Sequence, residues 1–357
     1  MSRLIRLAAL ATIVASVIGV GAPPAAAHSL TGSEGTNYKT EIFHLAPATP
    51  GIHVRVIDLG NRIELRNDSH HVVVVEGYRG EPYLKVGPAG AFENAKSPAT
   101  YLNRTTDLPG PAPKSYDANA APQWQRIGTD VLRWHDHRTH WMADAAPAVV
   151  EHDPSHRHVL ISHWVVPLTV DGAPAKITGD VVWVPGPSAW GWVALAVGLA
   201  LVVLASSRVL KGRSFAAVFA IGCAISVVLA VGSWRYSTGA VTARFVDDIY
   251  NFGTILLLTS AMVLFLWRPG LSRWSPLTIV AGLALGVATG LGDVVMLFRS
   301  QLATVLAPGV ARALVTAAIG LGTGLVVAGI LHLRPAEGAA RRERRRPTPA
   351  PVRRTDR

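Results

Sequence analysis

The chain holds a single cysteine, Cys223, and it lies inside an apolar run. That excludes an intrachain disulfide and any thiolate-built metal centre, so metal chemistry must use His, Asp, Glu, Met or the amino terminus. The sequence has no G-x-G-x-x-G phosphate loop, no G-x-S-x-G nucleophile elbow and no internal repeat, and Cys223 has no catalytic partners. Acidic residues are scarce overall, and the 357 residues carry a formal net charge of +11. The excess is uneven. Residues 28–188 hold more Asp and Glu than Lys and Arg, while the basic residues flank apolar segments or crowd into the tail "RRERRRPTPAPVRRTDR". Placed there, they serve membrane orientation rather than a nucleic-acid face, and nucleic acid is not an expected partner.

What is present begins with a targeting segment. Arg3 and Arg6 precede an apolar centre from Leu7 to Val20, and Ala25-Ala26-Ala27 ends it in an A-x-A pattern. This reads as a signal peptide over residues 1–27, whose removal makes His28 the first residue. Cleavage after Ala26 and an uncleaved anchor are the alternatives.

After Pro187 five apolar runs follow, at about 189–210, 214–233, 248–267, 276–297 and 309–332. Each is near the ~20 residues that span a bilayer. With an exported amino terminus, "RVLKGR", "RPGLSR" and the Arg-rich tail all fall on the cytoplasmic side, as positive residues should. The expected organisation is an extracytoplasmic domain over 28–188, a five-helix membrane domain over 189–333 and a disordered basic tail over 334–357. The lipid bilayer is thus the first expected partner. Gly282, Gly286 and Gly290 form two overlapping G-x-x-x-G steps, and Gly320 and Gly324 a third, which is the spacing of close helix–helix association. Asp293 is the only charge well inside a span and is the functional candidate of the membrane half, with an interfacial carboxylate as the equal alternative. Asp247 and Asp248 start the third span on the same side.

Residues 28–188 read as strands. "IHVRVID", "RIELRN" and "HHVVVVEGY" alternate or run β-branched, and "HVLISHWVVPLTV" and "AKITGDVVWV" flank Asp171-Gly172, a hairpin signal. Short strands with Gly and Pro between them indicate an all-β sandwich or barrel, with 104–127 a long Pro/Ala-rich loop.

All but one of the 13 histidines fall in this domain. The densest stretch is "RWHDHRTHWM", Arg133 to Met142. Read as a strand, it puts His135 and His137 on one face and Leu132, Trp134 and Asp136 on the other. His140 has the wrong parity and joins only if the chain turns after His137. An amino-terminal His28 adds two nitrogens, its α-amine and its imidazole, which close a chelate ring. Such a nitrogen set suits Cu(II), and three imidazoles with water suit zinc as the alternative. "EHDPSHRHVLISH", with His152, Asp153, His156 and His158, reads as a solvated loop rather than a second metal site. Tyr78, Glu81 and Tyr83 are pocket candidates that the sequence does not place.

His28 together with "WHDHRTHWM" resembles the exported amino-terminal domain of the particulate methane monooxygenase B subunit, whose motif joins an amino-terminal His to a later W-H-x-H-T-M-M run. The resemblance implies a cupredoxin-like or immunoglobulin-like sandwich holding copper through His28, His135 and His137, preceded by Trp134, with Met142 shifted by an insertion. CopC-type copper proteins, which also begin with a ligand histidine, are a looser match. The likeness covers the cleavage point and about ten residues, and neither a second cupredoxin domain nor His/Met ligands in the spans accompany it. The layout is also similar to actinobacterial membrane proteins with exported β-domains, which implies no activity. The expectation is a membrane-anchored copper-binding protein for copper acquisition, delivery or assembly of a copper enzyme, with a copper enzyme or copper chaperone as partner. A copper-dependent oxidase or monooxygenase-like subunit and a metal-free structural or receptor protein are the alternatives.

Overall fold

The computed structural model describes residues 35–332 apart from 106–109, 144, 208, 210–212, 237–240 and 268–275, together with no side chain of 213–215, 241–251 or 332. The signal segment, His28, most of the two basic loops and the tail lie outside the described residues, as do the side chains of Asp247 and Asp248.

Among the described residues ten strands form two antiparallel sheets. The larger runs β1-β10-β9-β4-β5-β6-β7 and the smaller β2-β3-β8. Their ranges are β1 Tyr38–Ala46, β2 Ile52–Ile57, β3 Arg62–Asn67, β4 Val73–Glu76, β5 Pro82–Gly87, β6 Gly90–Asn94, β7 Trp124–Gly128, β8 Val131–Trp134, β9 His158–Val170 and β10 Ala173–Trp183. The sheets share one apolar core. Ile63, Leu65, Leu132 and Trp134 from the small sheet meet Val73, Val75, Leu84, Val86, Val166, Leu168 and Ile177 from the large one. The β9–β10 hairpin turns at Asp171 (φ 49°) and Gly172 (φ 83°), two successive positive φ values of the kind a two-residue turn requires. On the small sheet, Glu64 is paired in register with Arg55 and Arg133. Its carboxylate accepts from both guanidiniums at 2.6 Å, which ties β8 to β3 just before the histidine-rich stretch.

Two short helices interrupt the β region, α1 (Pro98–Leu102) and α2 (Ala148–His152). Five longer ones follow it: α3 (Trp190–Ser206), α4 (Arg213–Tyr236), α5 (Val241–Trp267), α6 (Pro276–Leu283, continuing as a π-helix over Ala284–Leu291) and α7 (Pro308–His332). Among the described residues two stretches, Ala216–Tyr236 and Pro308–Leu331, are long and apolar enough to cross a membrane. Trp190–Ser206, Phe252–Trp267 and Pro276–Leu291 are apolar but shorter.

Glycines set the helix packing. A Cβ on Gly322 would lie 2.4 Å from the Gly286 nitrogen, so α6 and α7 touch backbone to backbone there. Gly282 and Gly290 face the same helix, and Gly320 and Gly324 face Ala196 and Ala200 of α3. The fourth apolar run does not stay helical to 297. It breaks at Gly292, and half-buried Asp293 starts a 3-10 turn over Val294–Leu297, past the end of the helix.

The β region and the helices are joined at one end of the bundle. Thr36 and Gln301, which lies between α6 and α7, exchange both backbone hydrogen bonds (3.0 and 2.8 Å). The Ser300 amide donates to Asn37 Oδ1 (2.8 Å), and the Leu59 amide donates to Tyr236 Oη at the end of α4 (2.8 Å). Gly186 fits because it has no side chain, since a Cβ there would lie 1.7 Å from the Phe298 carbonyl oxygen.

Candidate functional site

Strand β8 stops at Trp134, so the alternation expected through His137 does not continue. The cause is Asp136. It is fully buried, and its carboxylate accepts from the Arg138 amide (3.1 Å), capping a 3-10 turn over His137–Thr139. The same carboxylate accepts from Arg138 Nε (2.8 Å) and Nη2 (2.7 Å) and from Trp134 Nε1 (3.1 Å). Burial alone would lower the Arg138 pKa, but Asp136 outweighs it and holds the guanidinium firmly charged. Arg138 also lies over the Tyr78 ring at 5.0 Å and donates to the Glu76 carbonyl (3.2 Å). Leu132 and Trp134 of the strand are buried, and so are His135 and Asp136 beyond its end.

The turn gathers all three histidines. His135 and His140 are stacked, with planes 4° apart and centres 4.4 Å apart. His135 and His137 meet edge to face, at 88° and 4.7 Å. A bound metal lies in the plane of the imidazole that holds it, along the nitrogen lone pair. Perpendicular planes intersect, so the ring orientations of His135 and His137 meet this condition for sharing one ion. Stacked, nearly parallel planes do not, so His140 cannot share it without rotating its ring. Thr139 Oγ1 lies 3.4 Å from His140 Nε2 and donates to the Asp136 carbonyl at 2.9 Å.

Backbone carbonyls fix the tautomers. His135 Nδ1 lies 2.6 Å from the Asn61 oxygen and His137 Nε2 lies 2.9 Å from the Leu102 oxygen. A carbonyl only accepts, so each of these nitrogens carries the proton. In the neutral ring the electron pair is then at Nε2 of His135 and at Nδ1 of His137. Donation of the other N–H to a backbone carbonyl is the usual support of a metal-binding imidazole. Met142 Sδ lies 3.3 Å from His137 Nδ1.

Tyr78 completes the surround. Its hydroxyl donates to Asn103 Oδ1 and accepts from the His137 amide (3.0 Å). Burial, with Asp136 adding to it, pushes the Tyr78 hydroxyl far above its ordinary range, so it remains a donor at every physiological pH. Tyr83 is raised in the same way by its burial. Glu81 is not in the site. Its carboxylate accepts from Ser97 Oγ (2.7 Å) and from the Arg79 amide (2.9 Å), closing the turn before β5.

The other histidine group stays apart. His156 and His158 both contact Asp153, at 2.7 and 3.6 Å, and the pair with His156 is largely exposed. His152 instead bonds the Ala148 carbonyl of its own helix (2.9 Å). Among the described residues no group of three or more His, Cys, Asp or Glu is set to hold a metal. The centre as described therefore offers two imidazoles and a thioether, and His28 lies outside the described residues.

The backbone partners Asn61 and Leu102 and the capping role of Asp136 were not evident from the sequence. The D-H-R-T order after an apolar strand is the one signal for the cap. Comparison with protein-family models, curated proteins and solved structures finds no match to this chain, and the reading of the site rests on its own geometry.

Proposed function

We propose that this is a membrane-anchored, extracytoplasmic copper-binding protein that acquires copper, delivers it or serves the assembly of a copper enzyme. The observation that carries the reading is the tautomer arrangement. His135 and His137 sit in intersecting planes, and each gives one N–H to a backbone carbonyl. The copper is held by these two imidazoles, with His28 as the further ligand once the signal segment is removed. Bound copper supplies a site for ligand exchange with a copper enzyme or chaperone. The chain's own contribution is the rigid turn, clamped by Asp136 and Arg138, that fixes both rings. Zinc is the competing ion, since imidazoles suit it as well. The two-sheet domain is read as a sandwich of the cupredoxin or immunoglobulin type.

The membrane half is read as five spans. Large apolar side chains face outward on all five helices, among them Val202 of α3, Ile221 of α4, Phe252 of α5, Val280 of α6 and Val310 of α7. In water that surface would drive aggregation, and in lipid it is the expected exterior. Trp190 and Trp267, 78% and 83% exposed at helix ends, suit the membrane–water interface. The β domain meets the end of α4 and the α6–α7 connection, which five alternating spans put on the same side. The basic loops then fall on the opposite, cytoplasmic side.

The test is metal analysis of the full chain purified in detergent from copper-supplemented cells. About one copper per chain, lost in His135→Ala and His137→Ala, supports the reading. Zinc in the same stoichiometry, or no metal, contradicts it.

A further inference from the structure

We infer that the Met142 thioether is a ligand of this centre and that the ion it selects is cuprous copper. The inference rests on the copper reading of the same side chains. The Leu102 carbonyl forces the proton of His137 onto Nε2, so in the neutral ring Nδ1 presents a lone pair to Met142 Sδ at 3.3 Å. A thioether has no proton to give and accepts only weakly. Two acceptors therefore face each other, an arrangement that a cation between them relieves. The spacing fits. With metal–nitrogen and metal–sulfur bonds of about 2.0 and 2.3 Å, a 3.3 Å separation gives an angle of about 100° at the ion.

The donor set chooses among ions by softness and charge. Two imidazoles and a thioether are neutral, and a thioether prefers Cu(I) over zinc or Cu(II). Among the described residues the carboxylate next to the rings in sequence, Asp136, is committed to Arg138, Trp134 and the turn amide. The His135 ring lies largely out of water, only 6% exposed. The cost of desolvating an ion grows with the square of its charge, so a neutral donor set, as the described residues give it, favours a monovalent ion over a divalent one. Met142 itself is half-buried, and His137 beside it likewise, so a partner can reach that edge of the centre.

The test uses the full chain in detergent under anaerobic conditions, titrated with Cu(I) against a competing cuprous chelator. Copper X-ray absorption is read on the loaded protein. Met142→Leu keeps the volume and apolar character of the side chain, and an unchanged unfolding temperature shows that the fold is intact. The expected result is a sulfur scatterer beside nitrogen in the wild type, absent in Met142→Leu, with Cu(I) affinity down at least tenfold. Copper binding with nitrogen and oxygen scatterers only, or equal Cu(I) affinity in both proteins, overturns the inference while the copper reading stands. Failure of the wild type to take Cu(I) or Cu(II) from the chelator overturns both.

Discussion

His140 lies flat on His135, with ring planes 4° apart. The contact places a third imidazole beside His135 and His137 in an orientation that cannot share the proposed ion without a ring rotation. In the proposed site His140, as its ring is oriented, supports the His135 ring rather than the metal. His140→Ala should change copper affinity by only about the ~10-fold lower bound seen for outer partners, while His135→Ala or His137→Ala should cost more than ~100-fold. Chelator competition on the three variants checks the order, and a loss in His140→Ala equal to that in His135→Ala would show that the ring turns to bind.

Asp136 makes the turn that gathers the histidines, and it is fully buried with a charged partner. Removing one member of such a pair costs about 3–5 kcal/mol. Asp136→Asn should lower the unfolding temperature of the β domain and weaken copper binding together. Near-ultraviolet circular dichroism through the Trp134 environment and copper competition read the two effects. Weakened binding at unchanged stability would remove the clamp from the account.

Glu64 gives the domain an acid limit. Burial raises its pKa, but Arg55 and Arg133 together outweigh that and hold it below the usual carboxylate range. A depressed folded pKa stabilises above the unfolded value, near ~4.3, and that stabilisation is lost as pH falls through the folded value. The stability gap between wild type and Glu64→Gln should be full at neutral pH and should close as the pH drops below about 4. Denaturant unfolding at a series of pH values measures it. A gap that widens on acidification would reverse the sign of the argument.

The orientation is open to a protease test. In intact cells a tag placed after Arg357 should be shielded from external protease, and sites in the β domain should be cut. An externally cleaved tag would contradict the five-span reading and the side assigned to the histidine centre.

Parts of this structure were legible and parts were not, for identifiable reasons. The β9–β10 hairpin was, because Asp171-Gly172 can adopt two positive φ values cheaply. So was the glycine packing, although its nearest contact, Gly322, falls between the four-residue steps of Gly320 and Gly324. Strand β1 was not singled out, because its pairing with β10 joins residues from opposite ends of the domain. The break at Gly292–Asp293 was hidden inside an apolar run that composition alone continues to 297. In the histidine stretch the residue types were legible but the geometry was not. Alternation put His135 and His137 on one face, whereas the Asp136 cap ends the strand and brings the rings together through a turn. The carbonyls that fix the tautomers come from Asn61 and Leu102, and no local pattern announces them.

The most direct measurement is the metal content of the full chain carrying its processed amino terminus, beside His135→Ala prepared identically. About one copper per wild-type chain and close to none in the variant is the expected result. Equal copper in both, or zinc in place of copper in the wild type, would contradict it.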